Sequence, residues 1–162
     1  MITNIDLVEI AREHKIPLNE VFMKDRPPYT ISNGGYIINL QDLEQERGGS
    51  HWTSLYVPFS NRKEIAYMDS FGFIPSQSTI NWIKSTPYKN HKIFYNKKHI
   101  QNINSGGCGI YSLFFIDFMS KHNQSLPVEE LLNKFAELFS NNPMENLHLL
   151  KIYAPYYKNS DI

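Results

Sequence analysis

Thiol-based acyl transfer needs a nucleophile, a base beside it, a group that orients the base, and donors for the oxyanion that forms. The chain carries one residue of each kind in the order His51, Asp69, Gln101, Cys108. Cys108 is the only cysteine, with Gly106-Gly107 before it and Gly109 after it. A free cysteine is often a small buried hydrophobe. Flanking glycines argue for chemistry instead, because they let a backbone approach a ligand and leave amides to point at it. An apolar run that reads as a buried helix starts at Cys108, and a helix N-terminus favours the thiolate.

His51 follows Gly48-Gly49-Ser50 and precedes Trp52 at the start of a predicted strand. The other histidines, His14, His91, His99, His122 and His148, lack such surroundings. Asp69 closes the next predicted strand. In a hairpin the start of the first strand lies beside the end of the second, so His51 and Asp69 are expected to pair. The plainer role of Asp69 is to cap the turn Asp69-Ser70-Phe71-Gly72, and the two roles are compatible. Gln101 stands seven positions before Cys108. A loop of that length folds its amide back towards the sulfur, where it would donate to an oxyanion together with the Cys108 N–H. Gly49, Trp52 and Gly107 are the candidate substrate-binding positions. The glycines open room for a peptide chain, and Trp52 packs beneath the site.

The elements that must position these groups read as α+β in a single domain over 1–162. A first helix over 4–14 is capped by Thr3 or Asn4 and has Ile5, Val8 and Ala11 on one face. A loop with Pro27-Pro28 and Asn33-Gly34-Gly35 leads to the apolar stretch Tyr36 to Leu40. Trp52 to Val57 and Glu64 to Met68 form a hairpin across a turn at 58–63, and Lys92 to Tyr95 is a third strand. The run from Ile110 to Met119 is apolar almost all round and suits a buried central helix. Val128, Leu131, Leu132, Phe135, Leu138 and Phe139 follow helical spacing behind Pro127. A last short helix begins near Pro143. Helices and strands segregate along the chain, as in an α+β fold with a small sheet.

Composition narrows the function classes. The chain has 162 residues, 41% of them apolar and 20% charged, which argues against disorder. Ten Tyr and ten Phe predict an aromatic-rich core. Formal net charge is zero, so no global field holds nucleic acid or an anionic membrane. The segment Lys84 to His99, with Lys84, Lys89, Lys92, Lys97 and Lys98 and no acid, reads first as a solvated basic face and second as a local anion contact. No apolar run is long enough to span a bilayer, and residues 1–6 lack signal-peptide character. A lone cysteine excludes an internal disulfide framework and fits a reducing compartment. There is no HExxH, no paired-cysteine spacing and no GxxxxGK loop, so no metal or other cofactor is required by sequence.

Together, Gly48-Gly49-Ser50-His51-Trp52, Asp69-Ser70-Phe71-Gly72-Phe73 and Gln101 through Asn104-Ser105-Gly106-Gly107-Cys108-Gly109 resemble the adenovirus maturation protease (adenain) family. That family has relatives in virophages, polinton-type elements and large DNA viruses, and it is more distantly similar to the Ulp-type proteases that deconjugate SUMO. Asn142 to Leu147 and Tyr153 to Tyr157 extend the resemblance towards the C-terminus. It implies a cysteine protease fold with Cys108 as nucleophile, His51 as general base, Asp69 as orienting acid and Gln101 as oxyanion donor. It further implies cleavage of viral capsid and structural precursors after small, Gly-type residues, by a monomer, in the virion, the host cytoplasm or a viral factory. Adenoviral members are activated by DNA and by a viral peptide joined through a second cysteine. This chain has no second cysteine for that link, and its neutral charge leaves only Lys84 to His99 to carry a DNA contact. A deconjugase for ubiquitin-like modifiers, a Cys-dependent acyltransferase and a non-catalytic capsid component are the alternatives.

Overall fold

The computed structural model describes residues 2–41, 51–122 and 124–157. Helix α1 (Asn4–Glu13) starts at a capping box on Thr3. The Thr3 hydroxyl accepts from the Asp6 N–H at 3.2 Å, and the Asp6 carboxylate accepts from the Thr3 N–H at 2.7 Å. Five strands then lie across one sheet in chain order: β1 (Leu18–Met23), β2 (Gly34–Asn39), β3 (Trp52–Val57), β4 (Glu64–Met68) and β5 (Lys92–Tyr95). The inner pairs β2–β3 and β3–β4 are antiparallel, and the outer pairs β1–β2 and β4–β5 are parallel. A parallel neighbour demands a crossover. Between β4 and β5 it is made by helix α2 (Gln77–Lys84), capped by Ser76.

The sheet is covered on both faces, so β2 and β3 are buried along their whole length. Side chains alternate between two cores as the pleat requires. Trp52 and Tyr56 of β3 face the larger core, and Leu55 and Val57 face the smaller one with Trp82 and Ile83 of α2. The larger core is built on α3 (Cys108–Lys121), which crosses β3 and β2 and buries every residue from Gly109 to Met119. Such a helix stays in place by packing on all sides, which is why it is apolar all round. Helix α4 (Val128–Glu137) puts Val128, Leu131, Leu132 and Phe135 into the same core, and a 3-10 turn (Pro143–Glu145) leads into α5 (Asn146–Tyr153).

The α+β class, the hairpin and the helices at 108 and 128 match the expectation from sequence. Two elements had no counterpart there. β1 was not foreseen because its register shifts between Leu18 and Glu20, which breaks the two-residue alternation that marks a strand. α2 has only eight residues and includes Thr79, Ile80 and Ile83, so its helical period is too short to stand out. The basic stretch also looks different in place. The Lys98 ammonium donates to the Ala136 and Phe139 carbonyls at 2.9 and 2.6 Å, closing the C-terminal end of α4. Lys92 and Lys97 lie over the rings of Phe94 and Tyr95.

Candidate active site

Asp69 immediately follows β4, and His51 immediately precedes β3. The β3–β4 register pairs Ser54 with Met68, so the antiparallel hairpin carries the two ends together. His51 Nε2 lies 2.7 Å from Asp69 Oδ1. The same oxygen accepts from the Phe71 N–H at 2.8 Å, so Asp69 does cap its turn as well as meet the histidine. Gly72 closes that turn at φ 79°. A Cβ there would stand 2.8 Å from the Lys97 carbonyl oxygen, so the corner admits only glycine.

Asp69 is held from behind by Asn96, which is itself buried. The Asn96 carboxamide accepts from the Asp69 N–H at 3.1 Å and donates to the Asp69 carbonyl at 3.0 Å. Because β5 runs parallel to β4, Asn96 leaves the strand beside the residue it grips. The imidazole of His51 is stacked on Phe71, with ring centroids 4.5 Å apart. Neither Asn96 nor Phe71 was singled out from the sequence. Asn96 is visible only once the β4–β5 pairing is known, and Phe71 only once the hairpin is closed.

Cys108 is the first residue of α3 and is partly exposed. Its thiol shares a hydrogen bond with the His51 ring. Since Nε2 faces Asp69, Nδ1 is the nitrogen left for sulfur. The α3 ladder opens with the Tyr111 N–H donating to the Gly107 carbonyl at 2.9 Å, so the Cys108 amide stands ahead of it. Gly107 adopts φ 100° and makes no side-chain cap. A Cβ at Gly107 would be 3.7 Å from its nearest neighbour, so backbone conformation rather than space calls for glycine.

The electrostatics favour a charged imidazole. Burial alone disfavours the cation, but the hydrogen bonds and negative charge of Asp69 and the contact with Cys108 outweigh it. The balance raises the His51 pKa from 6.5 to about 9. The arrangement therefore favours the imidazolium form of His51 at neutral pH.

Gln101 is buried at 1% exposure, and its loop folds back as expected. The destination of its amide differs. Nε2 donates to the Ser105 and Gly106 carbonyls at 2.8 and 3.2 Å, and Oε1 accepts from the Ser70 hydroxyl at 2.6 Å. In this arrangement the amide clasps the residues leading to Cys108 rather than facing the sulfur. Trp52, 6% exposed, packs in the larger core, where it offers a substrate little surface. Gly107 is at the head of α3, and Gly49 lies outside the described residues. Among the described residues no group of three or more His, Cys, Asp and Glu is placed to hold a metal ion, and no helix is long and apolar enough to cross a membrane.

A thiol at a helix N-terminus, sharing a hydrogen bond with a histidine that a buried aspartate orients, defines a cysteine hydrolase. The comparison with known families agrees. Residues 37–148 match the Ulp1 protease family, C-terminal catalytic domain, and the chain belongs to that family of cysteine proteases, which need no cofactor. The crystal structure of the ASFV pS273R protease has the same fold. It superposes with TM-score 0.52 at 19% identity, over 86% of this chain and 67% of that one. A selenomethionine form of that protease is similar at TM-score 0.40 and 20% identity, over 71% of this chain and 46% of that one. No curated protein sequence matches the chain.

Proposed function

We propose that this domain is a viral endopeptidase that processes capsid and other structural precursors during virion maturation, cutting after small, Gly-type residues. The observation that carries the catalytic part is the 2.7 Å contact of His51 with Asp69, made by an imidazole that also bonds the Cys108 thiol. In the proposed reaction Cys108 reacts as the thiolate beside a His51 imidazolium. The sulfur attacks the scissile carbonyl carbon, and the C=O π electrons move onto oxygen. The Cys108 N–H and the Gln101 amide stabilise that oxyanion. Collapse breaks the C–N bond while His51 gives its proton to the departing amine. Water then adds to the thioester, leaving a proton on His51, and the acid departs with the thiolate restored. The viral setting and the substrate class follow the adenain-like motifs around residues 48–52, 69–73 and 101–109. The fold shared with a viral protease supports the same reading. The proposed enzyme acts as a monomer inside the infected cell, its viral factory or the virion. Nucleic acid is the weaker partner in this reading: Lys98 is engaged on α4, which leaves Lys84, Lys89, Lys92 and Lys97 of the basic stretch exposed for such a contact.

Membership of the Ulp1 family favours one second reading, deconjugation of a ubiquitin-like modifier. One experiment addresses both. Fluorogenic peptides with Gly or Phe at the cleaved position are compared with a fluorogenic ubiquitin-like protein, using wild type and Cys108→Ala. The expected result is turnover of the Gly peptide only, abolished in Cys108→Ala. Efficient cleavage after Phe overturns the specificity, and turnover of the folded modifier alone moves the assignment to the second reading.

A further inference from the structure

Ser70 is the residue between the two halves of the site, and neither half accounts for it. It follows Asp69, is completely buried, and bonds Gln101 at both of that residue's ends. Its carbonyl accepts from the Ile100 and Gln101 N–H groups at 2.8 and 2.9 Å. Its hydroxyl donates to Gln101 Oε1 at 2.6 Å. A carboxamide has two N–H donors, and here both are engaged by the Ser105 and Gly106 carbonyls. Gln101 therefore has every side-chain hydrogen matched, with Ser70 as the only side chain touching its oxygen among the bonds described.

We infer that Ser70 is a positioning residue for Gln101: its hydroxyl fixes the carboxamide that donates to the oxyanion. The inference rests on the protease reading above. Its chemical content lies in what happens when an oxyanion forms. For Nε2 to donate to that oxygen, one of its two carbonyl partners must be exchanged. The bond to Gly106 is the longer, at 3.2 Å against 2.8 Å to Ser105, so it is the one to yield. An amide anchored only through Nε2 would lose half its anchorage in that exchange. Anchored also through Oε1, it pivots about the Ser70 bond and keeps its aim. The preceding residue orients the histidine through its carboxylate, so the dipeptide Asp69-Ser70 sets both the base and the oxyanion side from one corner of the sheet.

The test uses the full chain and the Gly peptide, with Ser70→Ala, Gln101→Ala, the double variant and Ser70→Thr. Loss of a direct oxyanion donor costs on the order of 10²–10³ in kcat. Gln101→Ala is expected in that range, and Ser70→Ala at about tenfold with KM unchanged, since the Oε1 it strands is buried. Acting through Gln101, Ser70→Ala adds nothing in the Gln101→Ala background. The alkylation rate of Cys108 by iodoacetamide stays at the wild-type value in Ser70→Ala, because that reaction needs only the thiol and its histidine. Ser70→Thr, which keeps the donor, holds kcat within about twofold, and it carries the test alone if Ser70→Ala does not fold. Additive losses in the double variant, a parallel fall in alkylation, or a Ser70→Thr as impaired as Gln101→Ala overturns the inference. A wild type that turns over neither the peptide nor the folded modifier overturns the protease reading first, and this inference with it.

Discussion

The two halves of the site are built by different means. His51 and Asp69 are brought together by a hairpin, so their distance is set by strand register and by a core that buries β3 and β4. Gln101 and Cys108 are joined by a loop without regular structure, held by the side chains of Ser70 and Gln101 and by the glycine at 107. A register is shared by many backbone bonds and a hydrophobic interior. A clasp of a few polar contacts can be exchanged one bond at a time. In the proposed reaction the base and its acid need to be rigid before substrate arrives, whereas the Gln101 amide has to exchange a partner when charge develops on the substrate oxygen. The fold supplies each with a suitable kind of support.

The sharpest way to break the comparison is to remove the base. His51→Ala is expected to lower kcat/KM by on the order of 10⁴, as losing a member of a triad does. It should also slow Cys108 alkylation near neutral pH. Because Cys108 is the only cysteine, iodoacetamide incorporation followed by mass spectrometry reads the rate of that one site. Equal alkylation rates in both proteins would show that the hairpin does not present His51 to the thiol. A loss of alkylation in Ser70→Ala as large as in His51→Ala would mean the two halves are not separate.

Asp69→Asn is a smaller test that carries a pH signature. Burial lowers the His51 pKa, but Asp69, together with Cys108, outweighs it and raises the value to about 9. A folded-state value above the unfolded 6.5 stabilises the protein fully below pH 6.5, and that contribution is lost as pH rises through about 9. With Asn in place of Asp, the negative charge goes and the hydrogen bond to the cation weakens to that of a neutral amide oxygen, while burial and the Cys108 contact remain. The stability lost between pH 6.5 and 9 should therefore shrink in the variant, visible as a flatter dependence of Tm on pH. The alkaline limb of kcat/KM should move down from about 9 together with it. The loss in kcat is expected at about 10²–10⁴, since a neutral amide neither holds the ring in the correct tautomer nor stabilises the imidazolium. An unchanged alkaline limb would show that Asp69 does not set the charge of His51.

The same division explains how far the sequence could be read. The pairing of His51 with Asp69 was visible because a hairpin leaves a pattern: two apolar runs with Pro58 and Ser60-Asn61 between them. The helix behind Cys108 was visible for the same reason, as a long apolar run after glycine. The amide of Gln101 was harder to place. Its position along the chain shows that the loop folds back, but not which acceptors its N–H groups meet, since that depends on loop backbone torsions. Ser70 and Asn96 leave no periodic trace, and their roles exist only through contacts made across the sheet. Trp52 is a related case: its neighbour His51 suggests a place at the site, while strand alternation turns its ring into the core.

Gly107→Ala sharpens the comparison with the smallest change, a single methyl group. Residue 107 has φ 100°, a conformation that costs an L residue about 1–2 kcal/mol, while the added Cβ would find its nearest neighbour, Leu147, at an ordinary 3.7 Å. The penalty is therefore one of backbone torsion. Two responses are open to the protein. If α3 holds, the strain remains at residue 107 and stability falls by about 1–2 kcal/mol with activity largely kept. If the loop yields, residue 107 relaxes to negative φ and carries the Cys108 amide out of place, so kcat falls and stability changes little. The buried run from Gly109 to Met119 anchors α3 from inside the core, whereas the 102–107 loop is held by polar contacts alone among the bonds described: two hydrogen bonds from the Gln101 amide, a few within the loop around Asn102, and one from Asn102 to Met144. The loop is the weaker of the two, so it yields. The expected outcome is a loss of kcat with Tm nearly unchanged and with Cys108 alkylation still dependent on His51. A lower Tm with kcat preserved would instead show that the loop is as rigid as the hairpin, and the contrast between the two halves would be gone.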